Sequence, residues 1–235
     1  MRRLLLVATV GAGLVVGAAP AQATNECRGL QVCVRVAGPW VAVPVGSRAP
    51  RPRVEFQLSC PRRYVVGGLD AEVSDRGVDV TFQGKLGSPV NPGITTSRAA
   101  VFVASYAGRT APAPSFRPHI GCIPSAGGGS GPVPYKVDAA AAPVQTTIRR
   151  VTTLRVLPSS TQHAVRSCAA GEQLVRGTHA VGFYTSRAPS PELVGAVRVR
   201  QTLGIERVVA TVRSTGALQG VRAIVQLGAV CGGGR

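Results

Sequence analysis

Any chemistry in this chain has to come from a run of acids, three histidines or an excess of arginines. The acids Asp70, Glu72, Asp75 and Asp79, with Ser74 among them, form the densest group of carboxylates. A calcium ion takes several closely spaced carboxylate oxygens. An EF-hand loop counted from Asp70 needs Gly at its sixth position and Glu at its twelfth, where this chain has Asp75 and Thr81. Asp75-Arg76-Gly77 therefore reads as a hairpin turn rather than an ion site. Nucleophilic hydrolysis needs a Ser or Cys beside a His that an acid orients. Neither His119 nor His179 lies in a recognisable catalytic frame, and with His163 they show no zinc-ligand spacing. Glycoside hydrolysis needs paired carboxylates, for which the C-terminal part offers only Glu172, Glu192 and Glu206. Gly127 to Gly131 lacks the Lys-Ser/Thr that would hold phosphate and magnesium. The expectation is a protein without enzymatic activity, cofactor or metal, with a secreted hydrolase as the alternative.

The arginines are the feature with most chemical content. Of 27 cations 25 are Arg, set against 10 acids, for a formal net charge of +17. Arg198 and Arg200 alternate with Val197 and Val199, and Arg207 and Arg213 flank Val208, Ala210 and Val212. This places all four arginines on the polar faces of two successive strands. Guanidinium groups in such a ladder bind phosphate, sulfate or carboxylate bidentately. The expected partners are anionic envelope polymers or other extracellular polyanions. The competing account is composition, since a chain rich in Ala, Gly, Val, Pro and Arg is what a GC-rich genome encodes. Single-strand nucleic-acid binders interleave cations with stacking aromatics. Aromatics make up only 4% here and are scattered, which disfavours sequence-specific nucleic-acid binding and lectin activity alike. Trp40, the only Trp, stands between Pro39 and Val41 and reads as a core anchor.

The elements that position these residues follow from period-two patterning. Val221, Ala223, Val225, Leu227 and Ala229 form one stripe, and Val78, Val80 and Phe82 another. Short β-branched runs broken by Gly, Pro and Ser predict an all-β sandwich or barrel. Two cysteine-bounded segments resemble each other, with spacings of 62 from Cys60 to Cys122 and 63 from Cys168 to Cys231. Trp40 to Val45 and Ile148 to Thr153 precede the opening cysteines at equal distances and read as the same strand. The chain is therefore expected to hold two tandem small disulfide-closed β-sandwich modules, 24–124 and 146–235. A Gly/Pro/Ala-rich linker, 125–145, separates them. The first module carries 12 cations and 6 acids, the second 12 cations and 3 acids.

Residues 1–23 read as a signal peptide. Arg2 and Arg3 precede an apolar run from Leu4 to Ala19, and Ala21-Gln22-Ala23 supplies the cleavage pattern. That run is shorter than the ~20 residues a membrane span needs, so no transmembrane anchor is expected and the protein is secreted or loosely envelope-associated. Export makes the six cysteines disulfides. Cys60 is paired with Cys122 and Cys168 with Cys231, joining the opening strand of each module to its closing strand. Cys27 and Cys33 are left for each other, with a tie from either of them to a module as the alternative. The short Cys27–Cys33 loop also suggests a protease-inhibitor-like module as a further alternative.

Cys60-Pro-Arg-Arg-Tyr-Val-Val-Gly-Gly68 and Cys168-Ala-Ala-Gly-Glu-Gln-Leu-Val-Arg-Gly177 resemble the opening of an uncharacterised exported module of high-GC Gram-positive bacteria. That module begins Cys-Pro-x-Gly-x-x-Val-x-Gly and is closed by a C-terminal Cys. The resemblance covers residues 40–123 and 146–232, and the first copy has Arg62-Arg63 where the motif has its Gly. It implies a disulfide-closed β-sandwich and carries over no catalytic residue.

Overall fold

The computed structural model describes residues 24–30, 32–46, 49–84, 98–109, 111–124 and 147–233. The expected signal peptide and linker lie outside these residues. Alternating β-branched residues form seven strands in the N-terminal half: β1 (Val34–Ala37), β2 (Trp40–Ala42), β3 (Arg53–Ser59), β4 (Tyr64–Val73), β5 (Val78–Gly84), β6 (Ala99–Tyr106) and β7 (Ser115–Pro124). Six follow in the C-terminal half: β8 (Ile148–Val156), β9 (Thr161–Ser167), β10 (Gln173–Tyr184), β11 (Val197–Leu203), β12 (Arg207–Ser214) and β13 (Arg222–Gly232). The chain is all-β apart from two short turns of helix among the described residues. One is α1 (Pro191–Gly195), capped by Ser190, and the other is a 3-10 turn at Gly216–Leu218. None of these helices is long and apolar enough to cross a membrane.

Strand pairing, antiparallel throughout, has the same order in both halves. β7 lies between β4 and the β1–β2 segment, as β13 lies between β10 and β8. β6 lies between β3 and β5, as β12 lies between β9 and β11. Spacing along the sequence equates Trp40 with Ile148, but the pairing shifts that correspondence. Val34 faces Cys122 as Ile148 faces Cys231, six residues earlier than spacing implies. The connection from β2 to β3 is longer than that from β8 to β9, and contains Pro44, Pro50 and Pro52.

The halves meet where Trp40 and Val41 of β2 pair with Phe183 and Gly182 of β10, which makes one seven-stranded sheet. The two three-stranded sheets cover its opposite faces. Val41 of β2 packs with Val54 and Phe56, whereas its neighbour Ala42 packs with Phe183 and Val197. On β13, Ile224 joins the first of these cores while Ala223 and Val225 join the second. Successive strand residues point to opposite faces, so one strand serves both cores.

The disulfides are Cys27–Cys33, Cys60–Cys122 and Cys168–Cys231. Three residues past Cys60 and Cys168 the backbone turns left-handed, at Arg63 (φ 65°) and Gly171 (φ 82°). Glycine adopts this conformation without penalty and arginine does not. The N-terminal segment lies across β4 and β7, where Gly68 faces Gly121. A Cβ on either glycine would collide with the carbonyl oxygen of Glu26, so this close approach requires both.

Polar contacts add to the junction between the halves. Glu55 of β3 is paired with Arg149 of β8 and, at 2.7 Å, with Arg176 of β10. The buried Gln226 carboxamide caps the unpaired edge of β3 at Gln57. It accepts a hydrogen bond from Gln57 N at 2.7 Å and donates to Gln57 O at 2.9 Å, covering an edge otherwise open to strand addition.

Candidate anion-binding face

β9, β11 and β12 form a sheet whose inner residues Ala164, Val208, Ala210 and Val212 are buried. Those residues hold the sheet against β13, chiefly through Val225, Leu227 and Ala229. The other face is polar, because each intervening residue points away from the core. Arg198 stands opposite Arg213 and Arg200 opposite Thr211. His163 of β9 flanks Thr211 on its other side, with Thr211 Oγ1 3.2 Å from His163 Nδ1.

Directly opposed residues on antiparallel strands have Cβ atoms about 5 Å apart, so Arg198 and Arg213 leave the sheet side by side, with Arg200 next along β11. Arg198, Val199, Arg200, Thr211 and Arg213 line a shallow groove of about 320 Å³. Arg207 does not belong to this group. It lies six residues along β12 from Arg213, opposite Ser167, and is about 20 Å away at strand rise. Period two gives the face on which a residue lies but not its distance from the others. Sequence alone does not pick out Thr211 or His163. The available signal was the position of Thr211 between Ala210 and Val212.

Among the described residues no carboxylate pairs with Arg198, Arg200 or Arg213. Acids elsewhere already hold their own cations: Glu55 holds Arg149 and Arg176, Glu172 holds Arg150, and Glu72 holds Arg117. Like charges at this spacing repel, and an anion placed among them would relieve the repulsion while accepting paired N–H donors. The face offers cationic binding groups and one hydroxyl–imidazole contact, Thr211 with His163, and among the described residues no carboxylate pairs with that His.

Comparison with protein-family models, with curated proteins and with solved structures finds no match. The reading of this face rests on its own geometry.

The other chemically interesting residues are committed to structure. Asp75 accepts from Gly77 N at 2.7 Å and forms the turn, while Asp70 accepts from Asn25 N at 2.6 Å and from Ala71 N at 2.8 Å. Among the described residues one group has metal-ligand spacing: Cys168, Glu172 and Cys231. Both sulfurs are joined in a disulfide, and the carboxylate accepts from Arg150 and from Ala169 N. The Arg150 hydrogen bond, followed by the backbone one, lowers the Glu172 pKa. His179 Nδ1 lies 2.8 Å from Gln201 Oε1.

His119 is 6% exposed, with Nε2 3.3 Å from Glu72 and Nδ1 4.0 Å from the buried Glu26. Burial lowers its pKa from 6.5. Glu72, Glu26 and Asp70 pull it up and Arg117 pushes it down, but desolvation dominates. A folded-state value below 6.5 means that the unfolded chain binds the proton more readily. Stability is therefore full above pH 6.5 and falls as the pH drops from 6.5 through the folded-state value. Comparing urea midpoints of the wild type and His119→Gln at neutral and mildly acidic pH isolates this effect. The wild type is expected to lose more stability on acidification, and parallel losses would refute the assignment.

Proposed function

We propose that this is an exported binding protein, built by duplication of a β-sandwich unit, whose β9–β11–β12 face takes extracellular or envelope polyanions without transforming them. The observation that carries this reading is that Arg198, Arg200 and Arg213 line one groove beside Thr211, with no carboxylate partner among the described residues. Three disulfides suit an oxidising compartment. Export rests on the pattern at residues 1–23. The identical strand order of the two halves supports the duplication.

The test is salt-dependent retention of the chain beginning at Thr24 on an anionic matrix. The Arg198→Glu/Arg200→Glu variant is expected to lose retention with its fold intact by circular dichroism. With double-stranded DNA as the probe, its slope of log K against log salt should be shallower by about 2. Wild-type retention in the variant would dismiss this face as the binding surface.

A hydrolase centred on His119 has one point in its favour, the carboxylates on either side of the ring. The ring is buried, which argues against its contact with a dissolved substrate.

A further inference from the structure

The register of β9, β12 and β11 continues the arginine face past Thr211 to an imidazole. Thr211 stands between Arg200 of β11 and His163 of β9, so the three side chains leave one face in a row. The row on one side holds Arg198, Arg213 and Thr161, and the row on the other holds Thr202, Val209 and Val165. Arg198, Arg200 and His163 are exposed, and the half-buried Thr211 borders the groove. Thr211 Oγ1 lies 3.2 Å from His163 Nδ1.

That contact ties what Thr211 offers an anion to the charge on the ring. A hydroxyl has one hydrogen to donate, and a neutral imidazole has one N–H and one acceptor nitrogen. Nδ1 of the neutral ring therefore either donates to Thr211 or takes its hydrogen. A protonated ring carries N–H on both nitrogens. Nδ1 then donates to Thr211 Oγ1, and the hydroxyl hydrogen is left for the groove. The same proton adds a positive charge to the row. Arginine keeps its charge at any ordinary pH, whereas histidine is the side chain that ordinarily changes charge between about pH 5 and 8.

No acid occupies this face among the described residues. Besides Thr161 and Val165, β9 places Ser167 on it, opposite Arg207 of β12. Glu192 and Glu206 lie beyond its two ends, on α1 and in the β11–β12 turn. On the inner side, Arg166 of β9 stands opposite the buried Val208. The neighbouring β8 has Arg149 paired with Glu55 and Arg150 with Glu172, and its Arg155 stands opposite Ile224, toward the other core. On β13, Arg222 lies over the Tyr184 ring.

We infer that His163 belongs to the anion site, and that through it the face holds polyanions more tightly in mildly acidic than in alkaline surroundings. The inference rests on the polyanion reading above and extends its site from β11 across to β9.

The test measures affinity of the chain beginning at Thr24 for double-stranded DNA at about pH 5.5 and about pH 8, with circular dichroism confirming the fold at both. Phosphodiester charge is constant over this range, so any change belongs to the protein. The wild type is expected to bind about fivefold more tightly at the lower pH in about 0.1 M salt, with a slope of log K against log salt steeper by about 1. His163→Gln should match the wild type at the higher pH and lose the gain at the lower. His163→Arg, with a fixed charge, should bind at the higher pH as tightly as the wild type does at the lower. His179→Gln should keep the gain, because His179 meets Gln201, which stands opposite the buried Ala210 on the inner side. A gain that survives His163→Gln, or wild-type affinity that ignores pH, would overturn the inference and leave the polyanion reading standing. Absence of binding at both pH values would overturn both.

Discussion

Glu55→Ala is expected to cost about 3–5 kcal/mol of stability, the usual penalty for removing one partner of a buried ion pair. The Glu55 and Arg149 side chains are 8% and 1% exposed, and the second cation, Arg176, is about half exposed. Arg149 also donates to Thr178 Oγ1 at 3.0 Å, which cannot replace a carboxylate. Burial already lowers the Arg149 pKa, with Glu55 opposing that shift. Without Glu55 the guanidinium stays charged and dry. Because Glu55 belongs to β3 while Arg149 and Arg176 belong to β8 and β10, the loss falls on the contact between the halves. Equilibrium urea unfolding should show a lower midpoint. An accompanying split into two transitions would report that the halves had uncoupled. Glu55→Gln keeps the acceptor oxygen and should lose less. A loss below about 1 kcal/mol in the alanine variant would show that water reaches the pair.

The second large effect is expected from Cys60→Ala/Cys122→Ala. Closing a loop of 62 residues contributes about 4 kcal/mol on the chain-entropy model, and loss of a native disulfide from a small domain costs about 2–5 kcal/mol. Both cysteines are buried in the core with Val66, Ile120 and Phe116, so packing is lost as well. Against a typical total of about 5–15 kcal/mol, such a loss should be visible as a fall in thermal midpoint or as failure to accumulate folded protein. Alanine is the right replacement, because serine would add hydroxyls without partners to an apolar site. An unchanged midpoint would mean that the unfolded chain is already compact around these positions.

Local pattern was legible where it depends only on neighbours. The alternation in Val197 to Arg200 and Val208 to Arg213 identifies strands and an outward arginine face, because one residue of offset reverses the side of the sheet. Glu55 was not legible as a buried group. It sits between Val54 and Phe56 as an ordinary outward polar residue would, and only the approach of β8 and β10 covers that face. Arg207 shows the opposite error. The pattern puts it with Arg198, Arg200 and Arg213, yet the strand carries it too far along the sheet to share their groove. His119 looked like an isolated polar strand residue until the N-terminal segment brought Glu26 against it.

By itself, the sequence determined that the chain is predominantly β, where its outward arginines fall, and the charge excess of its C-terminal part. These follow from periodicity and composition, which are properties of neighbours and sums. Tertiary structure alone decided that Trp40 and Val41 pair with Phe183 and Gly182 to join both halves in one sheet. It also decided that Arg213 and Thr211 stand opposite Arg198 and Arg200. The physical reason is that strand partners are chosen by register and by surface buried between distant segments. Two residues of β2 carry no local mark of a partner some 140 positions away.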